Sequence, residues 1–308
     1  MSQPVARVHV RVPASTANLG PGFDALGLAL ALHNEVIAEE ADGVVVTVEG
    51  EGAGRLAGGD RNVVARGVRA AYEAGGRPFP GCAVRCVNRI PLARGLGSSA
   101  AAWVGGLVAG NALAGGPLDR AALLALAARL EGHPDNVAAA LHGGLTVSCA
   151  GPEGARAVAL PPPVGLAWVV LVPEVTSSTA EARAVLPATV ARQDAVFNVQ
   201  RVALLLAAMQ AGRLDLLPAA LEDRLHEPYR RRLFPWMPAV AAAARLAGAL
   251  GCVLSGAGPS TLAVVPAAGA SAAVASAMEK ALEEAGVRGR AHALDVDRDG
   301  AVVTSGAP

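Results

Sequence analysis

The segment Pro91-Leu-Ala-Arg-Gly-Leu-Gly-Ser-Ser-Ala100 constrains this chain more than any other. Residues 82–88 alternate as a strand does, a strand ends near Ile90, and the segment then opens onto a long Ala- and Gly-rich helical run. Strand, glycine turn and helix in that order bring backbone N–H groups and the positive end of a helix to one point. Glycine lets backbone approach an anion closely, and Ser98 and Ser99 add hydroxyls for phosphate or a metal. Taken alone, the same residues also make a tight turn with a serine N-cap.

Other glycine loops fit less well. A Walker loop carries its own lysine, but 25 of the 26 basic residues are arginine, and the single lysine, Lys280, lies in Ala/Glu-rich helical sequence far from any glycine loop. The same count opposes Schiff-base chemistry. Gly95–Ala100 also matches the G-x-G-x-x-A of dinucleotide folds, which want an acid ending the next strand about 20 residues on. The acid in range, Asp119, follows Gly-Gly-Pro-Leu and opens a helix instead. A nucleophile elbow needs G-x-S-x-G, and two alanines follow Ser99.

The 308 residues, 53% hydrophobic, suffice for one large domain or two ordinary ones. Zero net charge gives no general attraction to nucleic acid or an anionic membrane. The uncharged stretch 95–118 is long enough to raise the question of a membrane span, but its Gly, Ala and Ser read as a buried helix. MSQPVARVHVRV lacks an apolar run, so no secretory leader is expected. Cys82, Cys86, Cys149 and Cys252 form no C-x-x-C pair and read as buried free thiols of a cytoplasmic protein.

Residues 7–12 read as a strand, 14–22 as a loop, and 36–41 and 44–48 as strands about a turn at Asp42-Gly43. Residues 62–74 read as a helix stopped by Gly75-Gly76, and 120–130 as one capped by Asp119. The Gly- and Pro-rich stretch 151–163 marks an expected division into domains 1–155 and 156–308. Beyond it, 166–172 reads as a buried strand. Residues 194–210, 214–225 and 271–285 read as helices, and 251–254, 261–265 and 291–295 as strands, the mixture of an α+β fold.

Three further polar elements stand out. Glu131-Gly-His-Pro-Asp-Asn136 packs two acids, an imidazole and an amide into six residues. It is either a polar helix end or a site where Glu131 is a hard ligand for Mg²⁺ and His133, Asp135 and Asn136 face a polar substrate. Ser255-Gly-Ala-Gly-Pro-Ser-Thr261 is a hairpin turn or a second loop built for close approach of a ligand. Ser15-Thr-Ala-Asn-Leu-Gly-Pro-Gly-Phe-Asp24 places Asn18 and Asp24 in a loop bent by Gly20 and Gly22, either for Asx turns or for a ligand.

These elements occur together in the order used by GHMP kinases. Residues 91–100 resemble their P-x-x-x-G-L-G-S-S-A phosphate loop, and 255–260 their third motif. The 14–24 loop, Glu-Gly-His-Pro-Asp-Asn136, Ser178-Thr-Ala-Glu-Ala-Arg183 and His226-Glu-Pro-Tyr-Arg230 are similar specifically to the homoserine kinase family, and the resemblance runs over nearly the whole chain. It implies a two-domain α+β fold, ribosomal-S5-like in the N-terminal domain and ferredoxin-like in the C-terminal one. ATP would lie against Asn62, Pro91, Arg94, Gly95, Leu96, Gly97, Ser98, Ser99 and Ala100, and Mg²⁺ on Ser99 and Glu131. Asn18, Asp24, His133, Asn136, Arg183, Arg230, Gly256 and Gly258 would surround L-homoserine, with Asn136, Glu131 and Ser99 serving catalysis. A homodimer, without nucleic acid or membrane partners, is implied as well. Mevalonate or sugar kinases of the superfamily and a non-catalytic nucleotide-binding protein are the alternatives. A zwitterionic substrate suits the residue types: a guanidinium fork for the carboxylate and an acid for the ammonium.

Overall fold

The computed structural model describes residues 7–267 and 269–304. The expectation about a leader rests partly on residues 1–6, which lie outside the described residues. The first half comprises β1 (Val8–Ala17), β2 (Leu26–Glu40), β3 (Gly43–Gly50), α1 (Val63–Ala74), β4 (Gly81–Asn88), α2 (Ser98–Leu113), α3 (Arg120–Glu131), α4 (Asp135–His142), β5 (Leu145–Gly151) and β6 (Gly154–Leu160). The second comprises β7 (Leu166–Pro173), α5 (Thr179–Ala184), α6 (Arg192–Ala211), α7 (Leu217–Ala220), α8 (Glu227–Arg230), α9 (Met237–Leu246), β8 (Gly251–Leu254), β9 (Thr261–Pro266), α10 (Ser271–Glu284), β10 (Gly289–Leu294) and β11 (Val302–Thr304).

β2 organises the first sheet. It pairs with β1 along one edge and divides the other, Glu35–Glu40 going to β4 and Leu26–Leu28 to β5. β3 joins β4, β6 joins β5 and β11 joins β1, so seven strands are connected. The turn at Asp42-Gly43 does not make a hairpin. β4 lies between β2 and β3, and β3 pairs with it in parallel after the α1 crossover. Turn residues specify a bend, not a partner. β3 buries only Val46 and suits the edge, whereas β4 buries Cys82, Val84 and Cys86 and takes the inner place.

Residues 14–17, read as loop, continue β1 past a register shift at Pro13/Ala14. Their small size reflects close packing: a Cβ on Gly97 would sit 2.0 Å from Ser15 Oγ. The same cause explains the uncharged stretch in α2. A Cβ on Gly106 would meet the Val64 carbonyl of α1 at 2.3 Å, so glycine allows the two helices to touch. No helix among the described residues is long and apolar enough to cross a membrane.

The second sheet runs β10-β7-β9-β8, all antiparallel. β7 is apolar throughout because both its faces are covered. Trp168 and Val170 join the core with α6 and α7, while Val169 and Leu171 pack with α9 and α10. A division at 155/156 would cut β6, which pairs with β5 from Gly151↔Gly154 to Leu145↔Leu160. The crossing between sheets is instead 161–165, and β11 returns the chain to the first sheet. A Gly-rich hairpin turn and a Pro-rich linker stand side by side there and merge in composition. Cys149, expected to be buried, is exposed near the tip of that hairpin; the other three thiols are buried.

Candidate active site

The phosphate-loop segment joins β4 to α2. Gly95 and Gly97 have φ of 73° and 67°, which favours glycine, and a Cβ at Gly95 would lie 2.2 Å from the Ser255 carbonyl. The 255–260 loop therefore braces the first one, and Ser255 Oγ donates to Gly95 O at 2.7 Å. Gly97 is the N-cap of α2 and supplies no side-chain cap. The first-turn N–H groups of this sixteen-residue helix are thus left for an anion.

That helix end opens on a cavity of about 410 Å³. Of the expected site residues, Pro91 and Ala100 do not line it; Ala100 is packed in the core. The remainder sort into two ends. At the first, Ser99 Oγ donates to Glu131 Oε2 at 2.7 Å, joining the start of α2 to the end of α3. Burial pushes the Glu131 carboxyl up, against the lowering by the Ser99 bond and nearby His133. His133 Nε2 stands 3.9 Å from Glu131, and its Nδ1 is 2.7 Å from Asp135 Oδ1. Burial alone would favour neutral His133, but the Asp135 hydrogen bond and the two carboxylate charges raise its pKa overall. Asp135 Oδ1 also accepts the Asn136 N–H at 2.7 Å, and Asn136 Oδ1 accepts from Ser15 Oγ at 2.9 Å.

At the other end, Arg183 holds Asp24 through two bonds, Nη1 to Oδ2 at 3.0 Å and Nη2 to Oδ1 at 2.7 Å. Arg230 is buried and lines the cavity, whereas Arg231 and Arg232 are exposed. Its guanidinium lies 5.2 Å from the Phe23 ring, on which Arg183 also rests at 5.6 Å. Asn18 clamps the loop: Nδ2 donates to Gly256 O and Oδ1 accepts the Asp24 N–H. An uncapped helix end with a hydroxyl and an acid thus faces, across one cavity, two arginines and an aspartate.

The models of the GHMP kinase N-terminal and C-terminal domains match residues 62–144 and 205–284. A homoserine kinase of Moorella thermoacetica is 49% identical over 96% of this chain and 99% of its own, and one of Symbiobacterium thermophilum 52% identical over 97% and 95%. The chain belongs to the homoserine kinase family of GHMP kinases. The crystal structure of homoserine kinase from Cytophaga hutchinsonii superposes with a TM-score of 0.90 at 32% identity, covering 99% of both chains. L. major mevalonate kinase, at 16% identity and a TM-score of 0.69 over 94% and 98%, shares the fold. Membership makes the chain an ATP-dependent kinase acting on a hydroxyl.

Within this homoserine kinase family fold, two expected nucleotide residues have side chains engaged elsewhere. Asn62 caps α1, Oδ1 accepting from Val64 N while Nδ2 donates to Ala57 O. Arg94 donates to the carbonyls of Leu92, Pro173 and Glu174, pinning the phosphate loop to the second sheet. Motif position alone does not tell whether such a side chain faces the ligand or the backbone. Phe23 and Ser15 have no individual signal in the sequence, since only the folded chain brings Phe23 to the two arginines and Ser15 to Asn136.

Glu227, which opens the short helix that ends at Arg230, is buried and pushed up to about 7 by that burial, the Leu254 N–H bond opposing the shift. The folded value lies above the unfolded 4.5, so the folded chain keeps a proton that the unfolded chain releases. That contribution, about 3 kcal/mol, is complete below the unfolded value and lost as pH rises through about 7. Glu227→Gln keeps an acceptor for Leu254 N–H and is expected to flatten the fall in melting temperature between those values. An equal fall in both proteins would show that Glu227 is not the titrating group.

Proposed function

We propose that this chain transfers the γ-phosphate of Mg-ATP to the side-chain hydroxyl of L-homoserine, giving O-phospho-L-homoserine. The observation that carries the reading is one cavity with an anion-ready helix end at one side and Asp24, Arg183 and Arg230 at the other. The uncapped N–H groups at Gly97–Ala100 hold phosphate oxygens. Arg183 and Arg230 take the amino-acid carboxylate, and Asp24 takes the ammonium. Mevalonate and sugars have no ammonium to answer Asp24.

The residues fit Mg²⁺ arriving with the nucleotide. Among the described residues no three His, Cys, Asp or Glu side chains form a metal cage, and Mg²⁺ at phosphates commonly takes only one or two protein groups. Ser99 and Glu131 would hold it, and when bound it neutralises phosphate charge. The hydroxyl oxygen attacks phosphorus as the bond to ADP breaks, and its proton passes late to a phosphate oxygen. Asn136 orients that hydroxyl. A homodimer and a cytoplasmic location complete the proposal as family expectations. Light scattering near twice 30.7 kDa would support the dimer.

The test is ADP release with L-homoserine, mevalonate and galactose in parallel, with the product identified by mass. Turnover on homoserine is expected; turnover confined to mevalonate or galactose, or none at all, would refute the reading. Arg183→Ala is expected to raise the homoserine KM about 10- to 100-fold, the range for a lost charge-assisted hydrogen bond. The ATP KM should hardly move. A parallel rise in it would place Arg183 on the nucleotide.

A further inference from the structure

His226 lies outside every role assigned so far, yet it is buried and touches both sides of the amino-acid end. Its ring stacks on Phe23, centroids 5.1 Å apart and planes 22° apart. Nε2 is 2.8 Å from the carbonyl of Gly20, and Nδ1 is 3.2 Å from Arg230 Nη1. A carbonyl only accepts and a guanidinium only donates, so the two contacts require hydrogen on Nε2 and a lone pair on Nδ1. A protonated ring would set an N–H against the N–H of Arg230. Asp223 Oδ2 stands 3.7 Å from Nε2, but that oxygen accepts the backbone N–H groups of His226 and Glu227. Burial likewise favours the neutral ring.

Arg230 is held from three sides. Nε donates to Ala182 O at 3.1 Å, next to Arg183, and Nη1 donates to Gly256 O and to His226. Nη2 enters none of these bonds. An arginine tethered through Nε and Nη1 beside the Phe23 ring leaves the N–H groups of Nη2 to donate, and fixed placement is what carboxylate recognition needs. Gly20 lies in the loop that carries Asp24.

We propose that His226 is a positioning residue: as the neutral Nε2–H tautomer it holds Arg230 for the substrate carboxylate and locks it to the 18–24 loop that bears Asp24. This rests on the homoserine reading above. Wild-type turnover on homoserine tests that reading; the variants below test His226 in an enzyme that already turns over.

The experiment is steady-state kinetics of His226→Leu, His226→Asn and His226→Gln, alone and with Arg230→Ala. An Asn oxygen can replace the Nδ1 acceptor, while a Gln nitrogen can replace the Nε2 donor. His226→Leu is expected to raise the homoserine KM about 10- to 100-fold, with kcat and the ATP KM nearly unchanged, and to add nothing in the Arg230→Ala background. His226→Asn should recover more homoserine affinity than His226→Gln. An unchanged homoserine KM, a parallel rise in the ATP KM, or a full additional loss beside Arg230→Ala would overturn the proposal. If His226→Leu fails to fold, the Asn and Gln variants decide: Gln equal to or better than Asn refutes it.

Discussion

Glu131→Gln is expected to lower kcat by about 10²- to 10³-fold. Balancing metal charge at a phosphoryl group amounts to several kcal/mol, and each 1.4 kcal/mol is tenfold in rate. The substitution is conservative where it needs to be. Glu131 Oε2 accepts from Ser99 at the junction of α2 and α3, and an amide oxygen can accept the same bond. The fold and part of the nucleotide affinity should therefore survive, while the Mg²⁺ requirement shifts to higher concentration. Turnover against Mg²⁺ concentration for both proteins is the measurement. A variant with near-normal turnover at limiting Mg²⁺ would mean that a different acid serves the metal.

The second large effect separates neighbours. Asp135 is the carboxylate nearest the proposed hydroxyl site in sequence, but its Oδ1 already accepts from His133 and from the Asn136 backbone, and the side chain is buried. We propose that it braces His133 and does not serve as a general base. Asp135→Asn is expected to cost at most about 10²-fold in kcat, the low end of general-base loss. Asn136→Ala removes the amide that meets Ser15 beside the phosphate loop, and should harm turnover more. Both are measured at saturating homoserine after folding is checked. A loss near 10⁴-fold for Asp135→Asn, with Asn136→Ala mild, would make Asp135 the base.

What could be read from the chain was local chemistry. Asp119 and Asn62 precede apolar helical runs, and both cap them, Asp119 accepting from Ala122 N and Asn62 from Val64 N. The glycine pattern at 95–97 marked positive φ before a helix, and the two-sided burial of β7 showed as an unbroken apolar run. Partner choice was not legible. Asp42-Gly43 bends the chain equally well whether β3 meets β2 or β4, and the answer depends on which strand has more apolar surface to bury. The short helices α5 and α8 lack a long apolar period; α5 begins on a capping box of Ser178 and Glu181, and Asp223 accepts the N–H groups of His226 and Glu227 at the start of α8. In the site, residue types and order indicated which groups gather, but not how they pair. The bidentate Asp24–Arg183 contact spans 159 positions, and the His226–Gly20 bond spans 206. Arg94 and Asn62 sit at motif positions, yet their side chains serve backbone carbonyls and a helix cap, which spacing alone does not distinguish from ligand contacts.

A crystal structure with a non-hydrolysable ATP analogue, Mg²⁺ and L-homoserine tests the assignment of this cavity most directly. Phosphate oxygens are expected on the first N–H groups of α2 and the ion on Ser99 and Glu131. The amino-acid carboxylate is expected on Arg183 and Arg230, the ammonium on Asp24, and the hydroxyl beside Asn136 facing the terminal phosphate. Homoserine bound outside this cavity, or with its hydroxyl directed at the arginines and away from the phosphate, would contradict it.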